Sequence, residues 1–207
     1  MADAAATTRD RLLEAARELF TTDGYHATTT PLLARRAGVA EGTIYRHFPS
    51  KQALLNAAFQ DVHQWGAEAV RATAALPGRT GERLHALGLG WLLAAETDPA
   101  RLRLLLAWRL PGELDAESRQ AALEFQQEIE RLIAHGKQEG SVRAGVVELW
   151  TMVWLTLVSA AVERVAAGEW PARHPHASAT LEAAWEAIAW RPIIAAPPGR
   201  EPTPSMA

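Results

Sequence analysis

Between Arg35 and Lys51 the sequence reads RRAGVAEGTIYRHFPSK, and Thr43, Tyr45, Arg46 and His47 fall within one short run. Their hydroxyls, guanidinium and imidazole are the groups that hydrogen-bond phosphate oxygens and base edges. Gly42 precedes them, and without a Cβ the backbone there can approach a bulky partner closely. Thr43 offers a hydroxyl and a methyl to a base edge or a phosphate. Tyr45 and His47 can reach phosphate oxygens, and Arg46 suits a phosphate or a guanine edge. Lys51, in the first turn after Ser50, lies where backbone amides already favour an anion. Ile44 and Phe48, four residues apart, would face a core. Plainer uses exist for several of these groups. Thr28 to Thr30 serve equally well as helix caps, Tyr45 can be a core residue with its hydroxyl at the surface, and Glu41 repels phosphate.

Charge points the same way. The chain of 207 residues carries a net charge of −3, but residues 1–51 hold seven Lys or Arg against six Asp or Glu, which leaves −4 for the remainder. From Arg35 to Lys51 the balance is +3, with Glu41 the single acid. A basic cluster on an otherwise acidic chain marks a face for a polyanion, and the alternative is a solvated surface cluster. Cysteine is absent, which excludes disulfide frameworks, thiolate zinc sites and cysteine nucleophiles. The N-terminal MADAAATTRD has no apolar signal core, so a cytoplasmic location is expected. The apolar stretch from Leu149 to Val162 is shorter than the roughly 20 residues a membrane span needs, and no membrane partner is expected.

The elements that would position these groups are all helical. Thr7 with Asp10 opens a first helix that Gly24 stops, and the Thr28–Thr30 run with Pro31 opens a second that ends at Gly38. A short third helix spans Glu41 to Phe48, and a long fourth runs from Lys51 to about Ala75 with Leu54, Leu55, Ala58, Phe59, Val62 and Trp65 along one stripe. Further helices are expected over Thr80–Glu96, from Asp98-Pro99 to Pro111-Gly112, over Ser118–Gly140, around Leu149–Val162, and from a Ser178 cap through Ile188. From Arg191 onward five prolines argue for a disordered tail. No strand pattern interrupts the series, so the fold class is all-α. The expected division is a three-helix reader over residues 1–50, a connecting helix over 51–76, a helical ligand-binding and dimerisation domain over 77–190, and a tail over 191–207.

Two short helices joined by a Gly-containing turn, Gly38-Val39-Ala40, make a helix-turn-helix whose second member enters the DNA major groove. The stretch TTTPLLARRAGVAEGTIYRHFPSKQALL resembles the N-terminal DNA-binding domain of the TetR family of transcriptional regulators. Specific over about Arg9 to Phe59, the resemblance rests on Leu19-Phe20, Gly24-Tyr25, Ala37-Gly38-Val39, Gly42-Thr43-Ile44-Tyr45, Phe48-Pro49-Ser50-Lys51 and Leu54-Leu55. It implies phosphate contacts from Thr28 or Thr29, Tyr45 and Lys51, and base-edge or phosphate contacts from Thr43, Arg46 and His47. The chain departs from the family at Thr30, Pro31 and Leu32. Beyond residue 80 the resemblance extends to helix order, and implies a ligand-binding domain and a homodimer formed by the last two helices.

The expected partners are therefore double-stranded operator DNA, a second copy of the chain, and an unknown, largely apolar small-molecule effector. Trp91, Trp108, Gln126 and Trp154 are the expected pocket lining, although tryptophans at helical spacing also build cores and interfaces. No cofactor or metal is expected, since His174-Pro-His176 lacks a third ligand nearby. Nor is a catalytic residue: the chain has no phosphate loop, dinucleotide fingerprint or nucleophile motif. The alternative to a ligand-responsive repressor is a helical DNA-binding or small-molecule-binding protein without a regulatory switch.

Overall fold

Thr7 accepts the backbone N–H of Asp10, and the Asp10 carboxylate in turn accepts the Thr7 N–H at 3.0 Å, so a capping box starts the first helix. The structure, a computed structural model, describes residues 7–107 and 112–191. Among these it contains nine α-helices, and its one β-bridge is the isolated pair Val142 and Ala189. The helices are α1 (Thr8–Thr22), α2 (Thr30–Ala37), α3 (Glu41–His47), α4 (Lys51–Ala74), α5 (Thr80–Thr97), α6 (Pro99–Leu105), α7 (Ala116–Gln138), α8 (Val147–Ala166) and α9 (Pro175–Ile188). The fold is all-α, as expected.

Two expected boundaries differ. The helix opened by Asp98-Pro99 ends at Leu105, well before Pro111-Gly112. The last helix is capped by His174, whose Nδ1 accepts the His176 N–H at 3.2 Å; Pro175 occupies its first position, and Ser178 lies inside its first turn. An imidazole acceptor followed by proline thus does the work expected of a serine. Past Arg191 the Pro-rich tail, like Trp108, lies outside the described residues.

The buried faces of α1, α2 and α3 meet around Leu12, Ala16, Leu33 and Ile44, and the first turns of α4 close this small core with Leu54 and Leu55. Helix α4 then continues past it, and Phe59, Val62 and Val70 carry the same continuous core into its larger part, where α4 meets α5, α6 and α7. Its 24 residues give a rod on the order of 36 Å at about 1.5 Å per residue. At the tight crossing with α7, Gly66 leaves room for Leu105 and Phe125; an added Cβ would stand 2.6 Å from the Leu105 side chain.

Helix α1 is also tied across to the larger core. Arg17 is buried, and its guanidinium reaches Asp61 of α4 at 3.4 Å and Asp98, the cap of α6, at 3.3 Å. Asp98 meanwhile accepts the Arg101 N–H at 3.0 Å, which starts α6. Near the far end of α1, His26 pairs with Glu113 at 3.0 Å, just before α7. Helix α8, at 20 residues, is longer than its apolar stretch suggested and reaches the length of a span. It buries Trp154, Val158 and Val162 inside the protein and carries Glu148, Glu163 and Arg164 on its exposed side.

Candidate nucleic-acid interface and helical cavity

Helix α2 ends because Gly38 takes the left-handed conformation at φ 65°, with its N–H turned back to the carbonyls of Ala34 and Arg35. Val39 also donates to Ala34, at 3.0 Å, and Ala40 is the cap of α3, so three residues turn the chain from one helix into the next. Ile44 is fully buried and pins α3 to the small core. On the opposite side Gly42, Arg46 and His47 are exposed, Thr43 is half-buried, and Tyr45 is 52% exposed. Among the described residues neither Arg46 nor His47 has a salt-bridge or side-chain hydrogen-bond partner. The Gly42 position has no neighbour within 4 Å of an added Cβ, so its bare backbone faces open space. The Thr30 hydroxyl donates to the Glu41 carboxylate at 3.0 Å, linking the start of α2 to the start of α3 and occupying the one acid of the cluster.

Two residues expected on this face are turned inward. Thr28 is completely buried, and its hydroxyl donates to the carbonyls of Gly24 at 2.8 Å and Leu19 at 3.2 Å; it closes the end of α1 and cannot reach a phosphate. Thr29, the exposed cap of α2, makes no side-chain capping bond. Lys51 is half-buried, donates to the carbonyls of Tyr25 at 2.8 Å and Thr28 at 2.9 Å, and lies 4.2 Å from the Tyr25 ring centre. Its ammonium is held by the α1–α2 turn, because unpaired carbonyls half out of water are closer acceptors than any outside anion. Lys51 therefore positions the helix-turn-helix on α4 and does not extend from it.

In the larger core, a cavity of about 580 Å³ opens between α4, α6, α7 and α8. Its walls are mostly apolar, with Leu105, Phe125 and Leu155 prominent, while Arg119, Gln126 and Glu148 hold its rim. Of the expected lining, Gln126 is present, exposed and bonded to Glu130 at 2.8 Å. Trp91 and Trp154 are each 1% exposed and stand behind the wall: Trp91 packs 5.9 Å from Phe125 and 5.8 Å from Trp154. Indoles of that size fill the helix junction itself, so the smaller side chains in front of them line the cavity.

Sequence reasoning passed over His63, Thr151 and Phe125. His63 lies on the apolar stripe of α4, stacked on Phe59 with ring centres 3.9 Å apart and met edge-on by Phe125. Its Nδ1 is 2.9 Å from the Phe59 carbonyl, which can only accept; Nδ1 therefore carries the proton, and Nε2 is left as an acceptor. Burial pushes the imidazole down to about 4, against a smaller upward pull from the Phe59 bond, so it is neutral at pH 7. The signal in the sequence was a histidine in an otherwise apolar row, which a core position explains equally well.

The family model described as bacterial regulatory proteins, tetR family, matches residues 12–58, the segment that builds α1 to α3 and enters α4. Over 142 residues, 67% of this chain and 70% of the other, the sequence is 32% identical to the nucleoid occlusion factor SlmA of Marinobacter nauticus. The chain belongs to the TetR family. Its likeness to the HTH-type transcriptional regulator UidR of Escherichia coli is 42% identity over 53 residues, 26% of this chain and 27% of that protein. A crystal structure of a tetR family transcription regulator from Shewanella sp. PV-4 superposes with a TM-score of 0.72 at 29% identity, covering 89% of this chain and all of that one. FadR from Bacillus subtilis, solved in complex with stearoyl-CoA, shares the fold at a TM-score of 0.70 and 20% identity, over 86% of this chain and 98% of that one. This TetR-family chain is a DNA-binding transcriptional regulator with an N-terminal helix-turn-helix and a helical C-terminal part.

The depressed His63 gives the protein a pH signature. The unfolded chain takes up that proton near 6.5 and the folded chain near 4, so between these values the unfolded state binds more protons and stability falls as pH is lowered. The expected loss is about 2 kcal/mol between pH 8 and pH 5. Urea unfolding at the two pH values measures it. The His63→Gln variant should show a markedly smaller difference; an unchanged one would assign the loss to other groups.

Proposed function

We propose that this TetR-family regulator is a cytoplasmic repressor that binds an inverted-repeat operator as a homodimer and leaves it when a small, largely apolar effector enters the cavity between α4, α6, α7 and α8. The observation that carries the DNA half of this reading is the row of exposed groups on α3 opposite buried Ile44, with Arg46 and His47 uncommitted. Thr43 and Arg46 reach base edges or phosphates, while Thr29, Tyr45 and His47 hold phosphates, and Gly42 admits the backbone to the groove. Residues 1–50 are then the reader, 51–76 the connecting helix, and 77–190 the effector and dimer region.

Dimerisation is supported by an unpartnered face. Helices α8 and α9 pack side by side, and Leu149, Met152 and Ala160 on one and Ala179 and Ala183 on the other are exposed. Small residues on such a face let a second helix pair approach closely, and a two-fold partner would bury it. Induction is supported by two connections between cavity and reader. His63 lines the cavity on the same rod whose first residue, Lys51, holds the α1–α2 turn. Leu105 lines it on α6, whose cap Asp98 is bonded to Arg17 of α1. A second reading, a DNA-binding protein without induction, draws on the Marinobacter relative, whose name is not that of a transcriptional regulator.

Three outcomes test these assignments. Arg46→Ala should cost operator binding roughly 1–3 kcal/mol and relax preference at one base position, while Lys51→Ala should lower the melting temperature and leave the salt dependence of DNA binding within about half a phosphate of wild type. Electrophoretic titration over several salt concentrations reads both, and equal salt slopes for Arg46→Ala and wild type with unchanged affinity would remove α3 from the DNA.

The protein should sediment as a dimer and protect half-sites about 34–36 Å apart or a multiple of that. Ala183→Glu, exposed in the single chain, should yield folded monomers; a dimer unaffected by that charge would move the interface elsewhere.

An inducing compound must itself bind less tightly when operator is saturating, by the same factor it imposes on DNA, about 1–3 kcal/mol in typical couplings. Calorimetric titration with and without operator measures this reciprocity, and equal affinities favour the second reading.

A further inference from the structure

Two buried polar groups line the cavity with hydrogen-bonding capacity left over among the described residues, and the half-buried Ser159 lies beside them in the lining. One is the Nε2 acceptor of His63, since the other ring nitrogen donates to Phe59. The other is the Thr151 hydroxyl on α8, in a residue that is 1% exposed, whose oxygen is buried without a hydrogen-bond partner. That state is unlike the chain's other mid-helix threonines. Thr21, Thr73, Thr156 and Thr180 each donate to the carbonyl four residues upstream, at 2.7–2.8 Å. The same bond would satisfy Thr151 locally, and it is not made. A buried hydroxyl left unsatisfied costs about 1–3 kcal/mol, which a ligand supplying the partner would recover.

The lining charges narrow the ligand further. Arg119 and Glu148, both exposed, are the charged lining groups among the described residues, and they are of opposite sign. Burial keeps the imidazole inside uncharged, so nothing within the walls compensates a carboxylate or a phosphate. A volume of about 580 Å³ is in the usual range for a small-molecule site.

We propose that the effector is a neutral, mostly apolar molecule carrying a hydroxyl, a phenol or an aliphatic alcohol, which donates to His63 Nε2 and accepts from the Thr151 hydroxyl. A hydroxyl is the smallest group that is donor and acceptor at once, and so it matches an acceptor on α4 and a hydroxyl on α8 that line the same cavity. This rests on the reading of the cavity as the effector site.

The test uses the full-length protein and three probes of one shape: 4-hexylphenol, hexylbenzene and 4-hexylbenzoate, titrated calorimetrically at pH 7.5. The phenol should bind at least tenfold more tightly than the benzoate. The ratio of phenol to hexylbenzene affinity should fall about tenfold in Thr151→Val, which keeps the side-chain shape, and in His63→Leu. Hexylbenzene affinity itself should stay within about threefold in Thr151→Val. If His63→Leu does not fold, Thr151→Val decides alone. Tightest binding by the benzoate, or a phenol-to-hexylbenzene ratio that neither variant alters, would overturn the hydroxyl assignment and leave the cavity as the effector site. Failure of all three probes to bind would overturn both.

Discussion

A guanidinium buried inside a helical protein has to be met by carboxylates, because an uncompensated charge there costs several kcal/mol. Arg17 is that group, and the two carboxylates that meet it come from different elements, Asp61 from α4 and Asp98 from the start of α6. Asp98 serves twice, since it also caps α6. The reader's first helix, the long rod and the short helix that walls the cavity thus share one electrostatic junction. None of the three can shift far without separating a buried charge from its partner, which makes the junction a place where a displacement of α6 is felt by α1.

The second constraint is the chain's economy with backbone polar groups at the α1–α2 turn. Thr28 and Lys51 spend their side chains on carbonyls of Leu19, Gly24, Tyr25 and Thr28 itself, at the end of α1 and in the turn that leads to α2. The consequence is a rigid seat for α2 and α3 on the first turn of α4. Thr43, Tyr45, Arg46 and His47 on α3, and Thr29 at the start of α2, carry no such bond to the turn's carbonyls among the described residues. Rigidity in the residues that support the reader and freedom in those that face outward are two sides of one arrangement.

The cavity follows a similar division. Large rings, Trp91 and Trp154, pack the junction of α5, α7 and α8 and give the wall its stiffness, while Gly66 lets Leu105 and Phe125 come close to α4. The space in front of them is lined by residues of middling size, with His63 of α4 and Thr151 of α8 as its buried polar groups.

The sequence by itself determined the helical class, the helix-turn-helix and its outward residues, because these depend on local facts. Gly38 can turn left-handed, Pro31 and the threonines can open a helix, and apolar residues recur at helical spacing whatever they pack against. It also marked the last two described helices as apolar on more than one face. Tertiary structure alone decided the rest. Lys51 looks like a phosphate ligand until the carbonyls of a turn 23 and 26 residues earlier are seen beside it. Trp91 looks like a pocket residue until Phe125 is found standing in front of it, and His63 looks like core until the helices around it leave a space. Each of these depends on groups remote in the chain that only packing brings within hydrogen-bonding or van der Waals reach, and no local spacing encodes that distance.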